Sequence, residues 1–434
     1  MLPDQNLHRL RTIAIFNMAM RILLVFLVVS VLWSCRPQGD VPVVWKSIEI
    51  SLQERFIQAA DGDTIVIPSG HFLFTRGLSI DGKNNLVLMG SGKDSTFLSF
   101  KNQKEGAQGL LITNGNNITV SGFTIEDAKG DNLKVSDVSG LILRNIRSRW
   151  TAKEPSAANG AYALYPVLCK NVLIEYCEAI GSSDAGIYVG QSDSVVIRNN
   201  KAWNNVAGIE SENSKWVEIY GNETWLNSGG LLVFDLPGLT QYGHHTRIYQ
   251  NIIRDNNHEN FALPGNVVAS IPPGTGVMIL ATHDLEMFDN ELINNRTVGT
   301  GIISYELVAA LNEQEEIQSD TEGGIRTVEN NYKLDTLYNP YPYRIAIHNN
   351  RYSNNHWFPS LSNDIGFLFL LKSFLSPPDI AYDGIQPPDR QPEICLRENK
   401  GAENFLFLDA AHDFEGFTKN PAGFNCFVAA PIQP

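Results

Sequence analysis

The chain has 434 residues, of which only 18% are charged and 35 are glycine, and its formal net charge is −14. That balance argues against holding a polyanion on a basic surface, so nucleic acid is not an expected partner. At about 150 residues per domain the length would suggest two or three domains, but that prior fails for repeat folds, which have to be sought first.

The first segment reads as an export signal. In "RILLVFLVVSVL", Arg21 precedes an apolar run from Ile22 to Leu32, the length of a signal-peptide core and short for a bilayer span. The run ends in "LWSC", where Leu32, Ser34 and Cys35 resemble a bacterial lipobox whose cysteine is lipidated. Trp33 departs from the small residue usual there, so a simple cleaved signal is the alternative. Residues 1–34 are thus expected to be a leader and 35–45 a tether. Lipidated Cys35 would hold the body at a membrane surface, in the periplasm or at the cell surface. In an exported chain the remaining cysteines, Cys169, Cys177, Cys395 and Cys426, can oxidise. A Cys395–Cys426 bridge could clip the C-terminal segment, although spacing alone leaves the pairing open.

From residue 46 to about 404 the chain repeats. Asn200, Asn222, Asn251, Asn290, Asn350 and Asn399 each end a strand-like stretch, such as "VVIRNN", "VEIYGN" and "IAIHNN". A further asparagine stands five residues beyond each, at Asn205, Asn227, Asn256, Asn295, Asn355 and Asn404. Gly186, Gly208 and Gly276 open strands fourteen residues before three of the first set, and the shortest repeat is 22 residues. Nine rungs are recognisable. A coil of three short parallel strands fits this period. Stacked coils bring equivalent residues about 4.8 Å apart, so asparagines at an inward bend can satisfy one another's amides in a ladder. The asparagines therefore read as structural.

In this pattern the chain resembles the right-handed parallel β-helix superfamily, typified by pectate lyases and mannuronan epimerases, and especially the exported bacterial parallel β-helix repeat proteins. The resemblance implies an all-β, single-stranded parallel β-helix of about nine or more coils. "SLQERFIQAADGDTIVIPSGHF" supports it by supplying a capping helix near 51–60 and a first coil. Insertions fall at Leu236–His244, Asn257–Thr275 and Val308–Tyr341, and residues 405–434 are expected to cap the far end.

Strict alternation along the strands that follow the glycines turns Ile187, Val189, Ile209 and Ser211 inward. Lys134, Tyr165, Tyr188 and Glu210 then face out, with Glu212 and Asp184 beside them, and the insertions would wall a groove along this row. Superfamily chemistry implies a uronate lyase or C5-epimerase acting on an acidic polysaccharide. Lys134, Tyr165 and Tyr188 are the candidate catalytic groups, and Asp184, Glu210 and Asp235 the substrate-binding ones. Asp184, Glu210 and Glu212 are possible ligands for calcium, the expected cofactor. The Asp-Pro-His motif of the mannuronan epimerases is absent. Two alternatives stand beside this reading: a non-catalytic module binding a surface glycan or protein, and a glycoside hydrolase using Asp184, Glu210 or Asp235. His244, His245, His258 and His283 lie near the insertions and form a weak metal signal.

Overall fold

The computed structural model describes residues 44–310, 332–362, 364–373, 376–389 and 391–429. The expected leader, Cys35 and most of the tether lie outside the described residues, as does the middle of the third insertion. Residues from Trp45 onward form one compact unit.

Three parallel sheets wind through that unit. One full coil shows the plan. Ala185–Gly190 belongs to sheet I, Asp193–Arg198 to sheet II and the short Lys201–Trp203 to sheet III, after which Ala207–Glu212 starts the next coil. Each strand pairs in parallel with its counterpart one coil on, as Ile187 with Ile209 and Val195 with Val217. Among the described residues sheet III contains eleven strands, and sheets I and II run beside it through the same coils. The solenoid thus reaches further toward the N-terminus than the nine rungs legible from the glycine and asparagine frame. In those first coils the ladder is exposed and carried by other residues: Asn116 donates to Asn84 (2.8 Å) and Asn117 to Asn85 (3.0 Å).

The main ladder forms as expected. Side-chain amides run from Asn200 to Asn222 (3.0 Å), to Asn251 (3.0 Å), to Asn290 (2.9 Å), to Asn350 (2.9 Å) and to Asn399 (3.0 Å). Each Nδ2 also donates to a strand carbonyl, such as Asn222 to Ile197 O (2.9 Å). The residue before each rung is left-handed: Asn199 (φ 54°), Gly221 (φ 64°), Gln250 (φ 55°), Asp289 (φ 53°) and Asn349 (φ 55°). An Asn-Asn pair therefore divides its labour, the first residue tolerating the left-handed turn and the second making the ladder. The second asparagine series is shorter than its spacing suggests. Asn205, Asn227, Asn256 and Asn295 form a ladder (3.0, 2.8 and 3.1 Å), but Asn355 and Asn404 are exposed. At that coil Tyr352 takes the inward position held by Leu292 one coil earlier, its hydroxyl 2.9 Å from that of Thr300.

Both ends are closed. Helix α1, Glu49–Gln58, buries Leu52 and Phe56 on the first coil. Gln53 serves the open edge of that coil as a strand would, donating to Ser79 O (2.9 Å) and accepting from Ser79 N (2.9 Å). At the far end helix α2, Asp364–Ser373, buries Phe369. Beyond it the Cys395–Cys426 disulfide pins a segment whose Phe424 packs on Phe405 at 5.0 Å. Cys169 and Cys177 are free and buried. Among the described residues no helix is long and apolar enough to cross a membrane.

Candidate functional site

Sheet I has an inner and an outer core. Ile187, Val189, Ile209, Val277 and Ile279 lie in the main core inside the coil. On the outer face Tyr188, Leu232, Phe234, Met278, Leu280 and Ile303 form a second apolar cluster with Val268 and Ile271 from the second insertion and Tyr338 from the third. The insertions therefore do more than wall a groove: they lie on the sheet and cover its C-terminal half. Ile271 is seated so close to Gly229 that a Cβ there would come within 3.1 Å of it.

Where this roof begins, the polar residues gather. The phenol rings of Tyr162, Tyr165 and Tyr188 form a triangle with centroids 4.4, 4.6 and 4.9 Å apart, and the Lys134 ammonium lies 4.4 Å over the Tyr165 ring. Tyr188 donates to Glu212 (2.8 Å), and its hydroxyl occupies the space that a side chain at residue 190 would take, so only glycine is compatible there. Tyr162 donates to Asp184 Oδ2 (3.3 Å), which also accepts from Asn266 of the roof (3.2 Å). Asp184 Oδ1 and Glu210 Oε2 are buried without a hydrogen-bond partner. Most buried polar atoms are partnered, so two orphan carboxyl oxygens in one cluster mark it as unusual.

The electrostatics follow from that crowding. Burial, then the nearby Glu212, raises the Asp184 carboxyl to about 7. Burial, then Asp184 and Glu212, pushes Glu210 well above the carboxylate range. Glu212 is raised by burial against the bond from Tyr188, and Asp131 by burial against its bond from Gln108. Tyr165 is pushed up to about 12 by burial and by Asp131, and Tyr162 higher still by burial and Asp184. Like-charged acids in a dry site cannot all ionise, so the cluster holds protons near neutrality.

Not every expected site residue takes its expected place. Lys134 and Tyr165 stand half-buried at the accessible edge, whereas Tyr188 and Glu210 are 4% and 2% exposed and lie under the roof. Tyr188 is committed to Glu212, leaving Tyr165 as the accessible phenol. Asp235 makes its hydrogen bonds to the insertions and not to the cluster: its side chain accepts from Gly243 N (2.7 Å) in the first, and Tyr338 of the third donates to its carbonyl (2.6 Å). The expected calcium ligands Asp184, Glu210 and Glu212 share a patch, but among the described residues no three His, Cys, Asp or Glu side chains are arranged to hold a metal ion. The carboxyls present fit a proton-sharing cluster and do not fit a calcium cage. His244, His245 and His283 cluster on sheet II beside Trp216 and Tyr343, with His244 pushed down to about 4 by burial and by the other two. His258 contacts Phe261 in the second insertion.

Three residues escaped strict alternation. Ala163 and Leu164 both face the core, as Gly186 and Ile187 do one coil on, so the outward positions there are three apart. That places Tyr162 beside Tyr165, and the "YALY" spacing was its only signal. Asp131 sits in the turn before its strand and Asn266 in an insertion, where no period applies.

Similarity to solved structures is one of fold. The A-module of the Azotobacter vinelandii mannuronan C-5 epimerase AlgE4 superposes with a TM-score of 0.51 at 14% identity, over 83% of this chain and 93% of that one. The AlgE6 A-module from the same organism gives 0.50 at 12%, over 80% and 88%. No curated protein matches the sequence. The family model described as "Right handed beta helix region" matches residues 75–236 and 148–314, which together take in more than half of the chain. With the three-sheet coil and its asparagine ladder, this places the chain in the right-handed β-helix family.

Proposed function

We propose that this β-helix is a carbohydrate-active enzyme that moves the C5 proton of a uronate residue in an acidic polysaccharide, using the sheet I cluster from Lys134 to Glu212. The observation that carries the reading is the proton-holding carboxyl of Asp184, one oxygen of which, Oδ1, is left without a partner, at the foot of the Tyr162–Tyr165–Tyr188 triangle. The chemistry has one prior demand: the substrate carboxylate must be neutralised before its neighbouring C–H becomes acidic. A carboxylic acid held neutral in an apolar site meets that demand as a hydrogen-bond donor, and here the Asp184 O–H is free to pair with the uronate once Asn266 yields its place. Lys134 adds positive charge or acts as base, and the Tyr165 phenol is the accessible proton donor. When the C5–H bond breaks, its electron pair can form the C4–C5 double bond as the C4–O bond opens and the leaving oxygen takes a proton. That outcome is a lyase. Return of the proton to the other face makes an epimerase.

The epimerase modules that share the fold support a polymeric uronate as substrate, in agreement with the geometry. The lipid anchor at Cys35, and with it a membrane-surface location, belongs to the same proposal. The test is a panel of polyuronates and glycosaminoglycans, each assayed in chelator and in added calcium, by ultraviolet absorbance of the unsaturated product and by NMR of C5 proton exchange. Turnover on one polymer that survives chelator and falls roughly a hundredfold in Tyr165→Phe is expected. Binding without turnover by either readout would leave a non-catalytic glycan module in its place.

A further inference from the structure

One outward row of sheet I can be followed coil by coil in register: Ser79, Leu111, Lys134 and Tyr165, then Tyr188, Glu210, Leu232 and Met278. Its exposure changes in a single direction. Ser79 is open, Leu111, Lys134 and Tyr165 are half-buried, and Tyr188, Glu210 and Leu232 fall to 4%, 2% and 0%. The neighbouring row starts the same way, from exposed Asp81 through half-buried Thr113 and Ser136 to buried Val167 and Gly190, and it ends at Phe234, 1% exposed, with Glu212 still half-buried just before it. The step lies between Tyr165 and Tyr188, where Asn266 bonds Asp184, and the cover continues with buried Val268 and Ile271, Ile271 lying against Gly229 two coils on. An extended ligand lying along sheet I from the N-terminal coils would therefore meet a wall at the proton-holding cluster.

We infer that the site takes the end of a glycan chain, the terminal uronate abutting the roof at Asp184 and Tyr162 while the chain runs back over Tyr165, Lys134 and Leu111 toward Ser79. This inference rests on the reading of sheet I as a uronate site and adds its mode of action: processing from a terminus instead of within the polymer. Successive rungs of the open strip are about 4.8 Å apart, a step near the repeat of an extended sugar chain, and Lys134 supplies a cation for an anionic residue behind the terminal one. The described roof residues buried against the sheet are mainly apolar, with Val268, Ile271 and Tyr338 among them, so passage beneath them would strand sugar hydroxyls.

The experiment is a calorimetric titration of the whole mature protein with size-fractionated oligouronates of increasing length, using the polymer on which binding is first detected. A chain-end site predicts a single protein per chain at every length, and a loss of binding when the recognised terminus is chemically modified. A number of proteins per chain that climbs with length, with end-modified chains still bound, overturns the chain-end inference while leaving the uronate reading intact. Absence of binding to every polymer removes both. Product analysis gives an independent arm if the protein cleaves: the smallest unsaturated unit from the first time point is the expected result, and a ladder of intermediate sizes contradicts it.

Discussion

Glu175 on sheet II and Glu210 on sheet I are both 2% exposed, yet Glu175 lies near the surface under two part-exposed arginines and Glu210 lies deep among other carboxyls, and their chemistry is opposite. Glu175 accepts from Arg144 (2.5 Å) and Arg198 (2.8 Å), and those bonds outweigh the cost of burial and hold its carboxyl below the usual range. Glu210 has an oxygen with no partner and two further carboxyls for neighbours, and it holds its proton. Low exposure alone therefore does not set the charge of an acid; depth and partners do so together. The same contrast separates the molecule's two polar systems. The asparagine ladder buries amides that satisfy one another, which makes it scaffold. The acid cluster buries carboxyls whose oxygens are left over, which makes it the candidate site.

The largest effect should come from breaking the satisfied system. Asn222 accepts from Asn200 N and Nδ2 and donates to Ile197 O and Asn251 Oδ1. Asn222→Ala strands several buried groups at once, and at 1–3 kcal/mol for each unsatisfied group it should cost roughly 3–5 kcal/mol in denaturant unfolding. A loss within ~1 kcal/mol, the typical effect of an ordinary substitution, would mean that the ladder is not structural. Glu210→Leu should have the opposite sign. It extends the apolar row of Leu232 and Met278 and removes an unpaired carboxyl, so it should stabilise by about 1–3 kcal/mol. A destabilised variant would show that Glu210 has a partner in the folded protein.

The third effect is a pH slope. Asp184 has a folded pKa of about 7 against an ordinary 3.8, so between those values the native state binds a proton that the unfolded chain has released. Its stabilising contribution is complete below the unfolded value and is lost as pH rises through the folded one. Unfolding free energy should decline from about pH 4 to pH 7, and Asp184→Asn should flatten that decline. An unchanged slope would place the proton elsewhere. The smallest structural effect belongs to Lys134→Met, which keeps the aliphatic stem on Tyr165 and should shift stability by no more than about 0.5 kcal/mol while reducing turnover.

Much of this was legible before any coordinates. The asparagine offset and the 22-residue period gave away the coil, because a rung that must align with the next tolerates little variation in spacing. Insertions did not obscure it, since the Asn290–Asn350 bond closes across 60 residues. Period-two reasoning also brought Lys134, Tyr165, Tyr188, Glu210 and Glu212 to one face. It failed where two consecutive residues turn inward, which hid Tyr162. It could not tell that Tyr188 and Glu210 would be roofed, because insertion length says nothing of where a loop lies down. The outward apolar run Leu232, Phe234, Met278 and Leu280 was the one hint of a cover. The calcium expectation rested on a shared face alone, and sharing a face does not make three carboxylates converge on a point.

The most direct measurement is the pH dependence of turnover on the accepted polyuronate, in chelator, for the native protein and Asp184→Asn. If a neutral Asp184 pairs with the substrate carboxylate, the native rate declines as pH rises through about 7, and the asparagine variant, still a neutral donor, lacks that limb. A rate that rises through the same window, or one that appears only when calcium is restored, would contradict the account.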